Sequence, residues 1–511
     1  MQKIFTCPQA AQLEKLAKEN YAIPPFLMME NAARAMADFI LQLSPESILI
    51  LCGKGNNGGD GYAVARLLKG KCDVTVVALE PPAAEEAKAQ YEMCQRLGIC
   101  VIDHTRWLSG EAISKPQLIV DCIYGTGFHG ELPQTVKQIL DKVNKSSATK
   151  IACDIPSGLY FQADYTITMG CQKLALYSDK AKAVCGEIIV ADLGINREKF
   201  ENTVDTVVES SRKNRSLSEV EGIETTAYLI EPDDRELPLR KNRAVHKGKF
   251  GHTAVLCGDK SGAAILAATA AMSFGSGLTS LVKIAESADG ALSDLAQFKI
   301  SPSLMLSDSI PRKATCLVAG SGFSEFSKPA AQLLTYWFNS FKSSSVAKSP
   351  AVVLDAGMLT SPETPAFLDA LNKIENARIV LTPHLSELNR LLEVCGADGD
   401  FSVNTLAENP EARIAAGNFL TTRFTRTTVI MKSANTYIAD GGEMFVIADG
   451  SPSLAKGGSG DLLAGLTASL LSQSYTARSA AITAAEHHAL VSQKAGAEAY
   501  NLTPELFLSY L

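Results

Sequence analysis

The segment SPSLAKGGSGDLLAG, residues 451–465, determines how we interpret the rest of the chain. Three glycines and a serine occupy residues 457–460 directly before Asp461, and an apolar run, LLAGLTASLLSQ, follows. That run predicts a buried helix, whose first backbone N–H groups are unpaired and favour negative charge. Because glycine has no Cβ, the loop could close around a phosphate. Asp461 would then be within reach of the molecule to which that phosphate is attached. The same pattern also fits a simple helix N-cap at Asp461 in a tight loop.

Length and composition indicate a two-domain α/β protein. At 511 residues the chain is too long for one ordinary hydrophobic core, and few of its residues are aromatic. The net charge of −7, with interspersed signs, gives no basic surface of the kind that binds nucleic acid. The twelve cysteines include no C-x-x-C pair and no zinc-ligand spacing, which predicts reduced thiols and argues against disulfides and structural zinc. We therefore expect a cytoplasmic protein.

No membrane or secretion segment is predicted. The N-terminus, MQKIFTCPQ, has no apolar signal-peptide core. Residues 261–282 are uncharged and long enough to span a membrane, but they are mostly Ala, Gly, Ser and Thr, and Gly275 and Gly277 interrupt them. We predict a buried helix followed by a strand there, and no membrane partner.

The first half contains a strand, a glycine loop and a helix in succession. SILILC, residues 47–52, predicts a buried parallel strand, GKGNNGGDG follows as the loop, and YAVARLLKG predicts the helix. This is the phosphate-binding arrangement of nucleotide folds, although it matches neither G-x-G-x-x-G nor a P-loop. Asn56 and Asn57 could bind a carboxamide or ribose, or offer oxygens to a cation. They could equally hold left-handed turn positions.

Three more strands, predicted over residues 74–79, 118–123 and 150–155, also end in polar residues. Ligands bind at the carboxyl ends of strands in open α/β sheets. Asp121, Asp154 and Ser157 are therefore predicted to face the same crevice as the asparagine loop. A lone aspartate at a strand end is, alternatively, a common helix cap or turn former.

The motifs GNNGGDGYAVARLL, DCIYGTG and CDIPSGL resemble three signatures of the NAD(P)H-hydrate epimerase domain, which has a Rossmann-like doubly wound fold. TITMGCQK and GEIIVADLGI resemble its closing strands, and we place this domain at residues 1–215. The resemblance implies a potassium ion held by Asn57, Asp121 and Ser157, whose hard oxygen ligands suit it. It implies that Asp154 contacts the nicotinamide ring, which makes Asp154 the candidate acid or base.

The resemblance also implies a set of residues that bind the hydrated dinucleotide. They are Asn56, Asn57, Gly58, Gly59, Asp60, Gly125, Thr126, Gly127, Phe128, His129, Gly130, Glu131 and Asp154. The family often carries a basic residue where this chain has FHGE, residues 128–131.

A charged, weakly periodic stretch, residues 210–249, joins the halves, and we place the linker near residues 212–222. Strand, loop and helix then alternate again. Six strand ends with polar or glycine residues predict a second doubly wound sheet with a site along one edge. His384 follows one of these strands and is either structural or a ligand. Lys432 follows another and is either a salt-bridge partner or a phosphate clamp.

The motifs HKGKFGHTAVLCG, GAAILAATAA, LDAG, LTPHLSEL and LAKGGSGDLLAGLTASL resemble successive signatures of the ADP-dependent NAD(P)H-hydrate dehydratases, which have a ribokinase-like α/β fold. We place this domain at residues 222–511. The resemblance implies that Asp461 is the catalytic base and that the hydrate site is lined by Ala263, Gly322, His384 and Asp461. It implies an ADP site formed by Lys432, Ser433, Ala434, Asn435, Thr436 and Gly460.

Three short motifs depart from this family's usual pattern. The usual H-P-G-E is His384-Leu385-Ser386-Glu387 here, the usual K-G-A is Lys432-Ser433-Ala434, and the usual G-P-G is Gly320-Ser321-Gly322. None of these changes removes a charged group.

The two resemblances together imply a bifunctional repair enzyme for hydrated NADH and NADPH. The first domain would interconvert the R and S hydrates, and the second would use ADP with magnesium to dehydrate the S form, releasing AMP and phosphate. Asp461 would accept the hydroxyl proton during phosphoryl transfer, and its place at a helix N-terminus is expected to lower its pKa. We expect a homo-oligomer.

Two alternatives to this function remain open. The G-x-G-D pattern before a helix also occurs in ribokinase-type kinases, which would leave a stable phosphorylated product. The first domain could instead be a dinucleotide sensor without catalysis.

Overall fold

The computed structural model describes residues 1–110, 115–203, 223, 225–284, 300–341, 349–496 and 499–511. The chain forms two compact units, one of Lys3–Thr226 and one of Met1–Gln2 with Ala227–Leu511. The boundary between them lies a few residues beyond the limits of 215 and 222 given above. The linker predicted at residues 212–222 lies outside the described residues.

The Lys3–Thr226 unit alternates strands and helices. Its strands are β1 (Gln2–Phe5), β2 (Ser47–Cys52), β3 (Asp73–Ala78), β4 (Cys100–Asp103), β5 (Leu118–Cys122), β6 (Thr149–Cys153), β7 (Tyr165–Met169), β8 (Gln172–Lys173) and β9 (Glu187–Ala191). Its helices are α1 (Cys7–Tyr21), α2 (Pro25–Gln42), α3 (Asn56–Leu68), α4 (Glu85–Arg96), α5 (His104–Leu108), α6 (Gln134–Asn144), α7 (Asp179–Lys182) and α8 (Arg197–Glu201).

Seven of these strands form one parallel sheet in the order β4-β3-β2-β5-β6-β7-β9. The strand order reverses between β2 and β5, so the connections diverge there and open the crevice in which doubly wound folds bind ligands. Helix α3 packs directly on this point, since a Cβ on Gly61 would lie 2.7 Å from Cys52 Sγ. The sheet therefore places the loops after β2, β5 and β6 side by side.

The second unit is built in the same alternating way. Its strands are β10 (Ala227–Leu229), β11 (His252–Cys257), β12 (Leu278–Lys283), β13 (Met305–Ser307), β14 (Cys316–Ala319), β15 (Ala351–Leu354), β16 (Arg378–Leu381), β17 (Thr427–Met431), β18 (Thr436–Asp440) and β19 (Glu443–Ile447). Its helices are α9 (Ser261–Ser273), α10 (Lys328–Asn339), α11 (Thr364–Asn372), α12 (Leu385–Cys395), α13 (Val403–Glu408), α14 (Pro410–Arg423), α15 (Ser459–Ser472), α16 (Ala477–Lys494) and α17 (Pro504–Leu508).

Within this unit the strands follow the order β13-β12-β11-β14-β15-β16-β17-β18-β19-β10. All neighbours are parallel except β18, which is antiparallel to both β17 and β19. The order reverses between β11 and β14, which creates a second ligand-binding crevice of the same type. The α/β class predicted for both halves of the chain is confirmed.

Helices α9 and α15 pack closely against each other beneath this crevice. A Cβ on Gly465 would lie 2.2 Å from the carbonyl oxygen of Ala267, so the contact requires glycine at this position. The helix and strand predicted within residues 261–282 are confirmed as α9 and β12. Across the described residues, we find no helix with the length and apolar character needed to cross a membrane.

Candidate functional sites

A cavity of about 660 Å³ lies where the strand order of the first sheet reverses. Among the residues predicted to bind the dinucleotide, those that line it are Asn56, Asn57, Asp60, Gly125, Thr126, Gly127, Phe128, His129 and Asp154. Gly130 and Glu131 are exposed and are not part of its wall. Gly58 and Gly59 lie behind the wall, because added Cβ atoms would meet Gly53 O at 1.9 Å and the Met29 side chain. Gly58 therefore lets the loop after β2 close onto α3, and Gly59 lets α3 pack against α2 and α4, so neither forms the cavity surface.

Asp154 has strained backbone geometry and a fixed carboxylate. Its φ is 68°, the left-handed region that non-glycine residues rarely adopt. Oδ2 accepts a hydrogen bond from Thr126 N at 3.3 Å, and Oδ1 accepts from Met169 N at 3.3 Å. Oδ1 also lies 2.7 Å from Lys173 Nζ. The carboxylate is thus held in one orientation on the cavity wall.

Lys173 is a site residue that the sequence analysis missed. Its side chain is almost fully buried, and Nζ donates to Met169 O at 2.7 Å as well as pairing with Asp154. Burial alone would lower the pKa of Lys173, but Asp154 outweighs that effect and raises it. The lysine remains charged. The sequence offered one indication of this role: Lys173 stands among mostly apolar residues in CQKLALY, which suggests a buried lysine with a charged partner.

Three further carboxyl residues, Glu14, Asp60 and Glu86, line this cavity. Burial raises the pKa of Asp60 and of Glu14, and the charge of Asp154 adds to the effect on both. Glu14, on α1, was not predicted from the sequence. The carboxyl groups of Glu14, Asp60 and Asp154 therefore line the cavity, and the buried Lys173 pairs with Asp154.

The three residues predicted to hold potassium lie near the carboxyl ends of neighbouring strands. Asn57 is in the first turn of α3, which begins earlier than the predicted helix, Asp121 is in β5, and Ser157 follows β6. Asp121 is fully buried and accepts from Ser157 Oγ at 2.7 Å, Ser157 N at 2.8 Å and Ile123 N at 3.2 Å. Burial raises the pKa of Asp121 to about 6. The Asn57 amide lies about 3.3 Å from where a Cβ on Gly125 would be, and its Nδ2 makes no hydrogen bond to any residue that the structure describes. Buried carboxylate, hydroxyl and amide oxygens are ligands that suit a potassium ion.

In the second unit, two predicted hydrate-site residues meet where the strand order reverses. Ala263 is on α9 after β11, and Gly322 is in the loop after β14. A Cβ on Gly322 would lie 3.2 Å from the Cβ of Ala263. The Gly322 carbonyl accepts from Lys260 N at 2.9 Å, which ties the two loops together.

Lys432 lies beneath the glycine loop of α15. Its Nζ lies 3.1 Å from Asp355 Oδ1, which also accepts from Thr382 Oγ1 at 2.7 Å. The same Nζ is 3.2 Å from where a Cβ on Gly460 would be. Burial alone would lower the pKa of Lys432, but the carboxylates of Asp355 and Glu387 outweigh it and raise the pKa. The lysine is therefore both an ion-pair partner and a fixed positive charge beside the glycine loop.

The predicted lowering of the Asp461 pKa is wrong. Burial raises the pKa of Asp461 to about 6, and the neighbouring Asp355 and Glu387 charges raise it further, while Ser321 and Lys432 oppose them. The dipole of α15 is a local effect that desolvation and two other carboxylates outweigh. Asp461 is still largely ionised at neutral pH, and it is a stronger base than an ordinary aspartate.

His384 has a structural role as the N-cap of α12. Its Nδ1 accepts from Glu387 N at 3.3 Å, and Glu387 Oε2 accepts from His384 N at 2.9 Å, which together form a capping box. His384 also forms a β-bridge to Lys432, whose N donates to Pro383 O at 2.8 Å. The predicted histidine and lysine are thus adjacent.

A fully buried arginine that the sequence analysis missed supports the predicted ADP loop, residues 432–436. Arg413 Nη1 donates to Asn435 O at 2.9 Å, and Nη2 donates to Ala407 O at 3.2 Å. The guanidinium also lies 5.1 Å from the Tyr437 ring centroid. No local motif marks Arg413, because its partners come from two other segments, residues 406–407 and 435–437.

The glycine loop itself is supported from α16 and α17. Gly458 has a φ of 92°, and an added Cβ would lie 2.7 Å from Pro504 Cγ. His488 Nε2 lies 3.2 Å from Ser459 Oγ, and burial lowers the pKa of His488 to about 4. The neutral histidine therefore anchors the start of α15.

The fold and the two sites define a two-domain α/β protein of the doubly wound class, with a ligand-binding crevice at the carboxyl ends of the strands in each sheet. Comparison with known proteins identifies the family. The sequence family described as YjeF-related protein N-terminus matches residues 26–175, and the family described as NAD(P)H-hydrate dehydratase matches residues 253–511.

Relatives match either most of the chain or one of its two halves. A bifunctional NAD(P)H-hydrate repair enzyme of Helicobacter pylori is 33% identical over 491 residues, which cover 94% of this chain and 93% of that protein. An NAD(P)H-hydrate epimerase of Rhodopirellula baltica is 32% identical over 213 residues, 38% of this chain and 85% of that protein. An ADP/ATP-dependent NAD(P)H-hydrate dehydratase of Bacillus subtilis, crystallised with ATP and magnesium, is 22% identical, with a TM-score of 0.43, covering 56% of this chain and 95% of that one.

The chain belongs to the bifunctional NAD(P)H-hydrate repair enzymes. It is an enzyme with an epimerase domain followed by a dehydratase domain.

Proposed function

We propose that the first unit interconverts the R and S hydrates of NADH and NADPH, and that the second unit dehydrates the S hydrate with ADP. The position of Asp461 is the observation that supports the dehydratase part of this proposal. Its carboxylate, with a pKa of about 6, directly follows the glycine loop and lies in the field of Lys432. A base and an anion-binding loop at one helix N-terminus are the requirements for phosphoryl transfer to a hydroxyl group.

The proposed reaction converts a poor leaving group into a good one. Asp461 takes the proton of the 6-hydroxyl while the hydroxyl oxygen attacks the β-phosphorus of ADP. The bond between that phosphorus and the bridging oxygen breaks, and AMP leaves. The ring nitrogen lone pair then expels inorganic phosphate from C6. Loss of a proton from C5 completes the reduced nicotinamide ring.

Lys432 and the backbone around Gly460 are proposed to bind the ADP phosphates. Ser433, Ala434, Asn435 and Thr436 would complete the nucleotide site, in a loop that Arg413 supports from below. Magnesium, which enters with ADP, would neutralise phosphate charge.

The hydrate is proposed to bind beside Ala263, Gly322 and His384. The contact between Ala263 and Gly322 supports this placement, because it lies where the strand order reverses. His384 is joined to Lys432 by backbone pairing, which would bring the hydrate and the nucleotide together.

Asp154 is the proposed acid or base of epimerisation. Its fixed carboxylate on the wall of the first cavity, paired with Lys173, supports this role. The asparagine loop and residues 125–129 would hold the dinucleotide. Asn57, Asp121 and Ser157 are proposed to hold a potassium ion, which would supply positive charge next to the dinucleotide.

We also propose a homo-oligomer and a cytoplasmic location. The side chains of Met305 and Leu306 are exposed on the sheet strand β13, which supports contact with a second copy. The cysteines described as free thiols support a reducing compartment.

The test supplies purified S hydrate, ADP and magnesium, and follows the near-ultraviolet absorbance of reduced dinucleotide. We expect recovery of this absorbance with equal amounts of AMP and phosphate. Purified R hydrate should also be consumed, because epimerisation converts it to the S form. A stable phosphorylated product without recovery would support the kinase alternative instead.

A further inference from the structure

The Ser321 hydroxyl is a buried polar group to which the mechanism above gives no role. Ser321 is fully buried in the loop after β14. Its Oγ has no hydrogen-bond partner among the residues that the structure describes. Buried hydroxyl groups in native structures are almost always hydrogen-bonded, so an unpartnered one at a crevice points to a group that joins it during function.

The loop that carries Ser321 is held rigidly. A Cβ on Gly320 would lie 1.8 Å from Asp355 O, and a Cβ on Gly322 would lie 2.2 Å from Lys260 O. Both glycines have positive φ values, 116° and 79°. The backbone is therefore wedged between the loops after β11 and β15, and the hydroxyl has little freedom to move away from the crevice.

Asp461 belongs to the same cluster of groups as this loop. Gly320 packs against Asp355, Asp355 Oδ1 lies 3.1 Å from Lys432 Nζ, and that Nζ lies 3.2 Å from where a Cβ on Gly460, the residue before Asp461, would be. Burial and the charges of Asp355 and Glu387 raise the pKa of Asp461, whereas Ser321, as a nearby hydrogen-bond donor, lowers it. Of the two groups that favour the ionised form, Lys432 is already engaged with Asp355. The Ser321 hydroxyl is thus the donor that is still available to Asp461.

We propose that Ser321 is a positioning residue of the dehydratase, whose Oγ–H donates to one carboxylate oxygen of Asp461 in the substrate-loaded site. The hydrogen bond fixes that oxygen and turns the other toward the 6-hydroxyl of the hydrate. The inference rests on the proposed role of Asp461 as the base. It adds a residue that acts through Asp461 rather than on the substrate.

The hydrogen bond has two measurable consequences. Its loss lets the Asp461 carboxylate rotate, so kcat falls on the order of tenfold while KM changes little. Its loss also disfavours the ionised carboxylate, so the acidic limb of the pH profile of kcat/KM moves to higher pH, by up to about one unit.

The experiment compares Ser321→Ala with Thr279→Val in the full chain. Thr279, on β12, is also a buried residue whose hydroxyl makes no hydrogen bond among the described residues, so its replacement is a matched control. We expect both variants to unfold cooperatively near the wild-type temperature. Only Ser321→Ala should lower kcat and shift the acidic limb. An unshifted limb in Ser321→Ala, or an equal effect of both variants, would overturn the inference.

A double-mutant cycle separates this inference from the proposed function. If Asp461→Asn is nearly inactive, Asp461 is the base, and adding Ser321→Ala to it should cause little further loss. A full additional loss in the double variant contradicts the positioning role while leaving the base intact. Near-normal turnover by Asp461→Asn alone overturns both proposals.

Discussion

Lys173 Nζ lies 2.7 Å from Asp154 Oδ1, and this ion pair is enclosed in the first unit. The two residues come from different segments of the chain, and Lys173 also donates to Met169 O. A buried pair of this kind is expensive to break, because the remaining charge has no solvent to stabilise it. The pair therefore fixes the candidate epimerase acid or base and contributes to the integrity of its cavity.

Lys173→Met should destabilise the first unit and slow epimerisation. The unpaired Asp154 carboxylate is expected to cost about 3–5 kcal/mol, measured by urea unfolding. The control is Lys180→Met, which removes an exposed lysine from α7 and should change neither stability nor rate. Wild-type stability and epimerisation in Lys173→Met would show that the ion pair has no such role.

Potassium should support epimerisation through Asp121. Exchanging potassium for tetramethylammonium, or making Asp121→Ala, is expected to lower the rate on purified R hydrate roughly tenfold or more. Potassium should also raise the unfolding temperature of the wild-type protein but not of Asp121→Ala. Asp164→Ala is the control, since it removes an exposed carboxylate that accepts from Lys150 N at the opposite edge of the sheet. Equal rates in both cations would refute the potassium site.

Arg413→Met should weaken ADP binding. The substitution leaves the Asn435 and Ala407 carbonyl groups without their donor, at about 1–3 kcal/mol each, and releases the nucleotide loop. We expect a higher KM for ADP and lower stability, measured by steady-state kinetics and thermal unfolding. Arg390→Met, which breaks only an exposed pair with Glu393, should leave both unchanged. An unchanged KM for ADP in Arg413→Met would contradict the supporting role.

The dehydration rate should depend on the ionisation of Asp461. Because the proton acceptor must be unprotonated, kcat/KM is expected to rise with pH and to reach half its plateau near pH 6. An ordinary aspartate would place this limb near its usual pKa of 3.8. The measurement is kcat/KM for the S hydrate between about pH 5 and 8. A flat profile across this range would contradict the raised pKa.

Local sequence patterns predicted the strands well where the strands are buried on both faces. SILILC is a continuous apolar run, and β2 occupies the predicted residues 47–52. The β18–β19 hairpin was missed, although Asp440-Gly441-Gly442-Glu443 is a recognisable turn sequence and both glycines have positive φ. We expected every strand to be parallel and to be followed by a helix, and this turn sequence was therefore not interpreted as a hairpin.

Side-chain electrostatics was the part that the sequence did not predict. The helix N-terminus before Asp461 is visible in one segment, but Asp355 and Glu387, which raise its pKa, come from distant segments. Lys173 likewise becomes a site residue only when β8 is placed beside Asp154. Such effects depend on burial and on long-range contacts, which no short motif encodes.

The central claim is that Asp461 is the base of an ADP-dependent dehydration. The most direct measurement is turnover of S hydrate with ADP and magnesium by Asp461→Asn, which keeps the size and capping ability of the side chain but cannot take a proton. We predict a rate lower by roughly 10²–10⁴. Stability should not fall above about pH 6, because the wild-type carboxylate is ionised there and its buried charge lowers the free energy of unfolding, a cost that asparagine does not have. Near-normal regeneration of reduced dinucleotide by a folded Asp461→Asn variant would contradict the account.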